Sequence, residues 1–283
     1  MSMLYHFFSI KEKENDYLFD GLNISKNKDA LRHQNQYPTI LISLKEMKSS
    51  SFESQLTTFS NIIYELLEKN LELLSSTQLT DTTKEIINTL HNRTASIEDL
   101  KFSLKVISNA LYTHYSSRVI ILIDEYDVPL QSAYQYNYYD EMVEFLRSIF
   151  SSALKTNDAL EKGIMTGCLR ISKESIFTGL NNFKTYSLLD EMNEEYFGFT
   201  EKEVLQLLKD YNLTDYIDEV KEWYDGYLFG NIEIYNPWST LMYVDRKSHF
   251  SSSKPKFFWA NTSGNDIVVN YIQNGSDELH EDF

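Results

Sequence analysis

Five consecutive apolar residues, Val119-Ile120-Ile121-Leu122-Ile123, run without a polar break into Asp124 and Glu125. A strand with one wet face alternates apolar and polar residues, whereas a strand that is apolar on both faces needs cover on both sides. The run therefore predicts a central strand of a parallel sheet with helices above and below. It is too short to cross a bilayer as a helix.

The surrounding segments fit that sheet. Pro38–Leu44 (PTILISL) is a second short, β-branched, strand-like run, and Lys162–Thr166 (KGIMT) a third. Between the first two lies Phe52–Leu74, with Phe52, Leu56, Phe59, Ile62, Ile63, Leu66 and Leu67 at helical spacing. The polar stretch Ser75–Thr83 breaks that pattern, and a second helix runs from Ser96 to Tyr115, opened by the capping-box pair Ser96 and Asp99. Tyr138–Lys155 reads as a helix between the second and third strands. At the start, Met1–Ile10 places Met3, Leu4, Phe7 and Phe8 on one helical face with no capping residue before them, a pattern expected in mid-helix. Alternation of long helices with short apolar strands predicts an α/β fold over residues 1–190.

The character changes after about Asp190. Thr200 and Glu203 form a second capping-box pattern, and a further helix ends at Trp223-Tyr224. Asp225-Gly226 and Gly230-Asn231 read as turns around a short hairpin, and Asn236-Pro237 as the start of a last helix. Residues 191–283 are thus expected to be a smaller, mostly helical, lid-like region. The aromatics of Trp223–Phe229 and Tyr235–Trp238 suit either a base-stacking wall or a structural hairpin packed on helices.

Chemistry concentrates where the apolar strands end, because ligands of open α/β sheets sit at the carboxyl ends of their strands. Asp124 at that position is a candidate Mg²⁺ ligand beside nucleotide phosphates, and Glu125 a candidate to orient and polarise an attacking water. An acidic pair is also an ordinary way for a buried strand to end. Asp127 reads as a helix or turn cap. Thr166, at the end of the third strand, could touch a γ-phosphate or the water, and Arg170 could meet developing phosphate charge. The alternative for Arg170 is a solvent-facing residue after a strand. Cys168 reads as a small core residue rather than a nucleophile, since no histidine lies near it in the sequence.

Composition narrows the classes. The formal charge is −16, from 42 acidic and 26 basic residues, and no cluster of five or more Lys and Arg occurs, so direct nucleic-acid binding is not expected. The single cysteine can form no internal disulfide, which suits a reducing compartment. The opening residues lack a charged-then-apolar leader pattern. These features predict a cytoplasmic protein without membrane contact. The six histidines are scattered with no metal-ligand spacing.

Taken in order, MSMLYHFF, LIDEYDVPL, GCLRISKESIFTGLNN, WYDGYLFG, YNPWS and FWANTSGND resemble the AAA-ATPase-like family of predicted bacterial P-loop ATPases. The resemblance covers essentially the whole chain. It implies a P-loop NTPase-like parallel sheet, ATP and Mg²⁺ as cofactors, Asp124 as the Mg·ATP ligand, and Glu125, Thr166 and Arg170 as catalytic groups. It also implies an Arg-rich loop ending in Gly-Lys-Ser/Thr before the helix at Met1, and in many members a C-terminal nuclease-like domain, which would follow Phe283. Here the sequence departs from the pattern, because none of its nine glycines is followed by Lys. Such a loop supplies the backbone N–H groups and the Lys that hold phosphates. The chain is therefore expected to be an ATPase module impaired by lack of that loop and of the strand that feeds it. The competing reading is a non-catalytic remnant or protein-interaction module on the same scaffold. A restriction-type nuclease site is set aside, since it wants Glu-x-Lys and Glu125 is followed by Tyr126 and Asp127.

Overall fold

The computed structural model describes residues 1–168, 176, 183–187 and 192–258. The chain divides into two compact units, Met1–Phe183 and Lys184–Phe283.

The first unit is α/β. Its helices are α1 (Ser2–Phe8), α2 (Lys28–Leu31), α3 (Phe52–Glu68), α4 (Glu72–Ser75), α5 (Asp81–His91), α6 (Ile97–Tyr115), α7 (Val128–Gln135) and α8 (Tyr139–Leu154). Its strands are β1 (Thr39–Ser43), β2 (Val119–Asp124) and β3 (Leu160–Met165), ordered β1-β2-β3 and all parallel. The register pairs Ser43 with Asp124 and Ile123 with Met165, so the three carboxyl ends lie level.

Burial follows from that order. Every residue of β2 from Val119 to Ile123 is buried, as a strand with neighbours on both edges and cover on both faces requires. Val119, Ile121 and Ile123 join the main core with Phe59, Ile63 and Leu67 of α3, Ile87 and Leu90 of α5, Leu104 and Ile107 of α6, and Phe145 and Ile149 of α8. Phe145 meets Phe59 edge to face at 5.3 Å between ring centroids. Ile120 and Leu122 point to the opposite face by strand alternation and are buried too. By contrast β3 exposes Glu161 and Lys162, and charge on an edge strand resists pairing with other chains.

Helix ends follow the sequence closely. The Ser96 and Asp99 side chains cap α6 reciprocally, and Ser51 caps α3 through the Ser54 amide. Two expectations need correction. The polar stretch after Ser75 hides α5, whose amide at Thr83 is capped by Thr80 and which buries only Ile87 and Leu90. In α1, Met3 is 65% exposed and only Phe7 is buried, packing on Phe19 at 5.0 Å. The following chain returns along α1 rather than over its whole apolar face: the Asn35 amide donates to Phe7 O, and its side chain to His6 O and Ser9 O.

The second unit pairs β4 (Phe199–Thr200), β5 (Tyr227–Phe229) and β6 (Ile232–Tyr235) in an antiparallel sheet ordered β4-β6-β5. Around it lie α9 (Glu201–Asp210), α10 (Ile217–Tyr224) and α11 (Pro237–His249). Thr200 with Glu203 caps α9, and Asn236 caps α11, as their spacing predicts. Tyr224, Tyr235 and Tyr243 are buried with Val204, Leu208 and Val220, so the aromatic-rich hairpin serves its own core. Lys247 is buried and ties that core together, donating to Glu219 Oε1 (3.2 Å) and Ser253 O (2.9 Å), with its ammonium 4.2 Å from the Tyr216 ring centroid. Among the described residues, no helix is long and apolar enough to cross a membrane.

Candidate functional site at the strand exits

Asp124 is the last residue of β2 and only half-buried, so its carboxylate emerges where the core ends. Backbone bonds hold its surroundings on both flanks. The Leu44 amide donates to Asp124 O at 2.9 Å from the β1 side. On the β3 side the Thr166 amide donates to Ile123 O (2.9 Å) and the Tyr126 amide to Thr166 O (3.0 Å). The ladder thus continues one step past both strands. Thr166 is exposed, and its hydroxyl donates to Asp124 Oδ1.

Glu125 follows with φ +54°, in the left-handed region that costs a residue with a side chain roughly 1–2 kcal/mol. Strain of this kind concentrates where geometry serves a site. The turn leads into α7, whose first turn carries Pro129.

Asp127 is fully buried. It occupies the position before α7, yet its side chain makes no capping bond there, which corrects the cap expected from sequence. Instead Oδ1 accepts the Cys168 amide at 3.2 Å and Oδ2 accepts Gln131 Nε2 at 2.8 Å. A burial of this kind needs such partners, because an unpaired buried carboxylate is very costly. Gly167 makes the approach possible: a Cβ there would lie 2.6 Å from Asp127 Oδ1 and 2.8 Å from Tyr126 Cε1.

Cys168 is exposed rather than a core residue, which corrects the second expectation for this segment. The partial shielding of its sulfur and then the charges of Asp127, Glu125 and Asp124 push its thiol pKa up, away from the reactive thiolate. Arg170 lies outside the described residues.

The structure therefore brings Asp124 and Thr166 into contact, with Glu125 next to Asp124 in the chain. Asp127 and Gly167 carry structural importance that the sequence did not disclose. The available signals were weak: a third acid beside an acidic pair, and a glycine after a strand-ending threonine.

The donors fit a hard cation held mainly by its ligand. Asp124, Glu125 and Thr166 offer only oxygen, which suits Mg²⁺. Among the described residues no group of three or more His, Cys, Asp and Glu could hold a metal by itself.

An uncharacterised protein from the vnfD 5′ region of Azotobacter chroococcum mcd 1 is 30% identical over 146 residues, which is 50% of this chain. The chain matches only 28% of that relative's length. No solved structure matches the chain. The family model described as predicted AAA-ATPase matches residues 1–177, which carry the parallel sheet and all three strand exits. This chain belongs to the AAA-ATPase-like family.

Proposed function

We propose that the first unit is a Mg·ATP-binding module whose metal-and-water half is formed at the exits of β2 and β3. The observation that carries this reading is the Thr166 hydroxyl donating to Asp124 Oδ1 between adjacent parallel strands. Polar side chains converging at strand exits are what a nucleotide site in an α/β sheet requires.

Mg·ATP, when bound, supplies the phosphoanhydride to be cleaved and most of the charge neutralisation. Asp124 is the residue that would hold the metal, directly or through water. Thr166 fixes the orientation of that carboxylate. Glu125 is assigned to polarise the attacking water, and its left-handed backbone supports a constrained role. Arg170, two residues past Cys168 in sequence, is assigned to developing phosphate charge.

Phosphate grip is the weak part of the module. The sequence contains no Gly-Lys pair, so it has no Gly-Lys-Ser/Thr loop. Phosphoryl transfer relies on positioning and charge stabilisation, and each missing preorganised donor costs about 3 kcal/mol of barrier. These 283 residues are accordingly assigned weak nucleotide binding and low turnover. A second reading is a scaffold that keeps the sheet for protein interaction.

A calorimetric Mg·ATP titration separates the two. The chain should bind weakly, Asp124→Asn should abolish that binding, and a version bearing an appended Gly-Lys-Thr loop should bind at least tenfold tighter. Binding unaffected by Asp124→Asn would reject the nucleotide site.

A further inference from the structure

We infer that Asp127 is the positioning residue of this site, a buried acid that sets the β3 exit against the β2 exit and thereby places the Thr166 hydroxyl on Asp124. The inference rests on the nucleotide-site reading above and extends it to a group that cannot touch substrate, because Asp127 is fully buried.

Among the described residues β3 has a sheet neighbour on one side only, so Thr166, Gly167 and Cys168 leave the sheet at its edge. Two backbone bonds, Thr166 amide to Ile123 O and Tyr126 amide to Thr166 O, hold Thr166 itself. Beyond it the segment is drawn inward by the Cys168 amide donating to Asp127 Oδ1. Thr166 thus lies between two anchored residues, and its side chain inherits their placement. A hydrogen bond from an amide to a carboxylate is among the stronger kinds, particularly out of water.

Two neighbours are shaped to this bond. Gln131, one turn along α7, donates to Asp127 Oδ2 and so holds the carboxylate plane. Gly167 leaves room for the approach, since any larger residue would place a carbon 2.6 Å from the accepting oxygen. A carboxylate serving only as a helix cap would need neither arrangement, and this one makes no capping bond.

Substitutions separate placement from general stability. Asp127→Asn keeps an acceptor of the same shape for the Cys168 amide, and the Gln131 amide can turn to accept from the new NH₂ group. Asp127→Ala removes the anchor. Gly167→Ala pushes the anchor and the loop apart while leaving Asp127 in place.

The test uses Mn²⁺·ATP as a paramagnetic probe, titrated into the full chain and followed by electron paramagnetic resonance. Hydrogen exchange of the Cys168 amide is measured by NMR without nucleotide. Asp127→Ala and Gly167→Ala should each weaken Mn²⁺·ATP binding about tenfold or more, the effect of losing one charge-assisted hydrogen bond. Both should also speed exchange at the Cys168 amide at least tenfold. Asp127→Asn should stay within about threefold of the natural chain in both measurements. If Asp127→Ala does not fold, Gly167→Ala decides alone. Binding unchanged in these variants, with Asp124→Asn abolishing it, would overturn the positioning role and leave the site reading intact. No binding by the natural chain, or full binding by Asp124→Asn, would reject the site and the positioning role together.

Discussion

The Thr166 hydroxyl donates to Asp124 Oδ1 across the exits of two neighbouring parallel strands, joining residues 42 positions apart in the chain. An exposed threonine at a strand end adds little to stability by burial. Thr166→Val, which keeps the shape and loses the hydroxyl, should therefore change unfolding free energy by less than about 0.5 kcal/mol. The same variant should weaken Mg·ATP binding about tenfold, while Thr166→Ser stays near the natural chain. Calorimetric titration beside urea unfolding checks both. A large stability loss with binding unchanged would assign the hydroxyl to the fold alone.

Glu125 should respond to substitution according to its backbone. At φ +54° glycine relieves strain of roughly 1–2 kcal/mol, offset by about 0.5–1 kcal/mol of added chain entropy. Glu125→Gly should be as stable as the natural chain or slightly more so, and Glu125→Val clearly less stable. Glu125→Gln should keep both fold and Mg·ATP affinity while removing any Mg-dependent hydrolysis. Scanning calorimetry and a phosphate-release assay read the two effects, and valine outperforming glycine would remove the strain argument.

Acid should act on the first unit through Glu72. Burial pushes its carboxyl pKa up, but hydrogen bonds from Lys11 and Tyr115 outweigh this and hold it below the ordinary 4.5. Lys11 Nζ lies 2.6 Å from Glu72 Oε1 and also donates to Asn70 Oδ1 at 2.8 Å. A folded pKa below the unfolded one means stability that is present above about pH 4.5 and is lost as pH falls through the folded value. Lys11→Met should cost about 1–2 kcal/mol at neutral pH and flatten this acid loss. Urea unfolding at several pH values checks it. An equal acid slope in both proteins would refute the assignment.

Tyr235 is fully buried in the second unit, and its hydroxyl has no hydrogen-bond partner among the described residues. Burial first, then the charges of Asp225, Glu201 and Glu233, push its pKa up to about 12 from 10.0. A raised folded pKa gives stability that is complete below pH 10 and is lost as pH rises toward 12. Tyr235→Phe removes an unsatisfied buried group and should stabilise the unit by about 1 kcal/mol at neutral pH. It should also remove part of the alkaline loss. All three tryptophans (Trp223, Trp238 and Trp259) belong to this unit, so their fluorescence reports its unfolding. Destabilisation by phenylalanine would show that the hydroxyl has a partner after all.

Local signals were readable where one residue type has one local use. Ser96 with Asp99, Thr200 with Glu203, and Asn236 before Pro237 each mark a helix start, and each forms the cap its spacing implies. Failures came where polarity on the surface resembled a loop. Helix α5 opens with Asp81, Thr82 and Thr83 inside the polar stretch after Ser75 and buries only Ile87 and Leu90, on the side that packs against α3 and α6. Met3 shares a helical face with Phe7, but among the described residues no later segment covers it.

By itself the sequence determined that β2 is a central, doubly covered strand ending in two acids, because an unbroken apolar run can be stable only with cover on both faces. It likewise placed Thr166 at a strand exit, where the structure has it one residue past the end of β3. Tertiary structure alone decided that Asp127 is buried, that Gly167 must be small and that Cys168 is exposed. The Asp127–Cys168 bond spans 41 residues, and no local preference encodes the approach of two loops that distant. Their meeting depends on the register of β2 and β3, which is set by packing of the whole core rather than by the residues that meet.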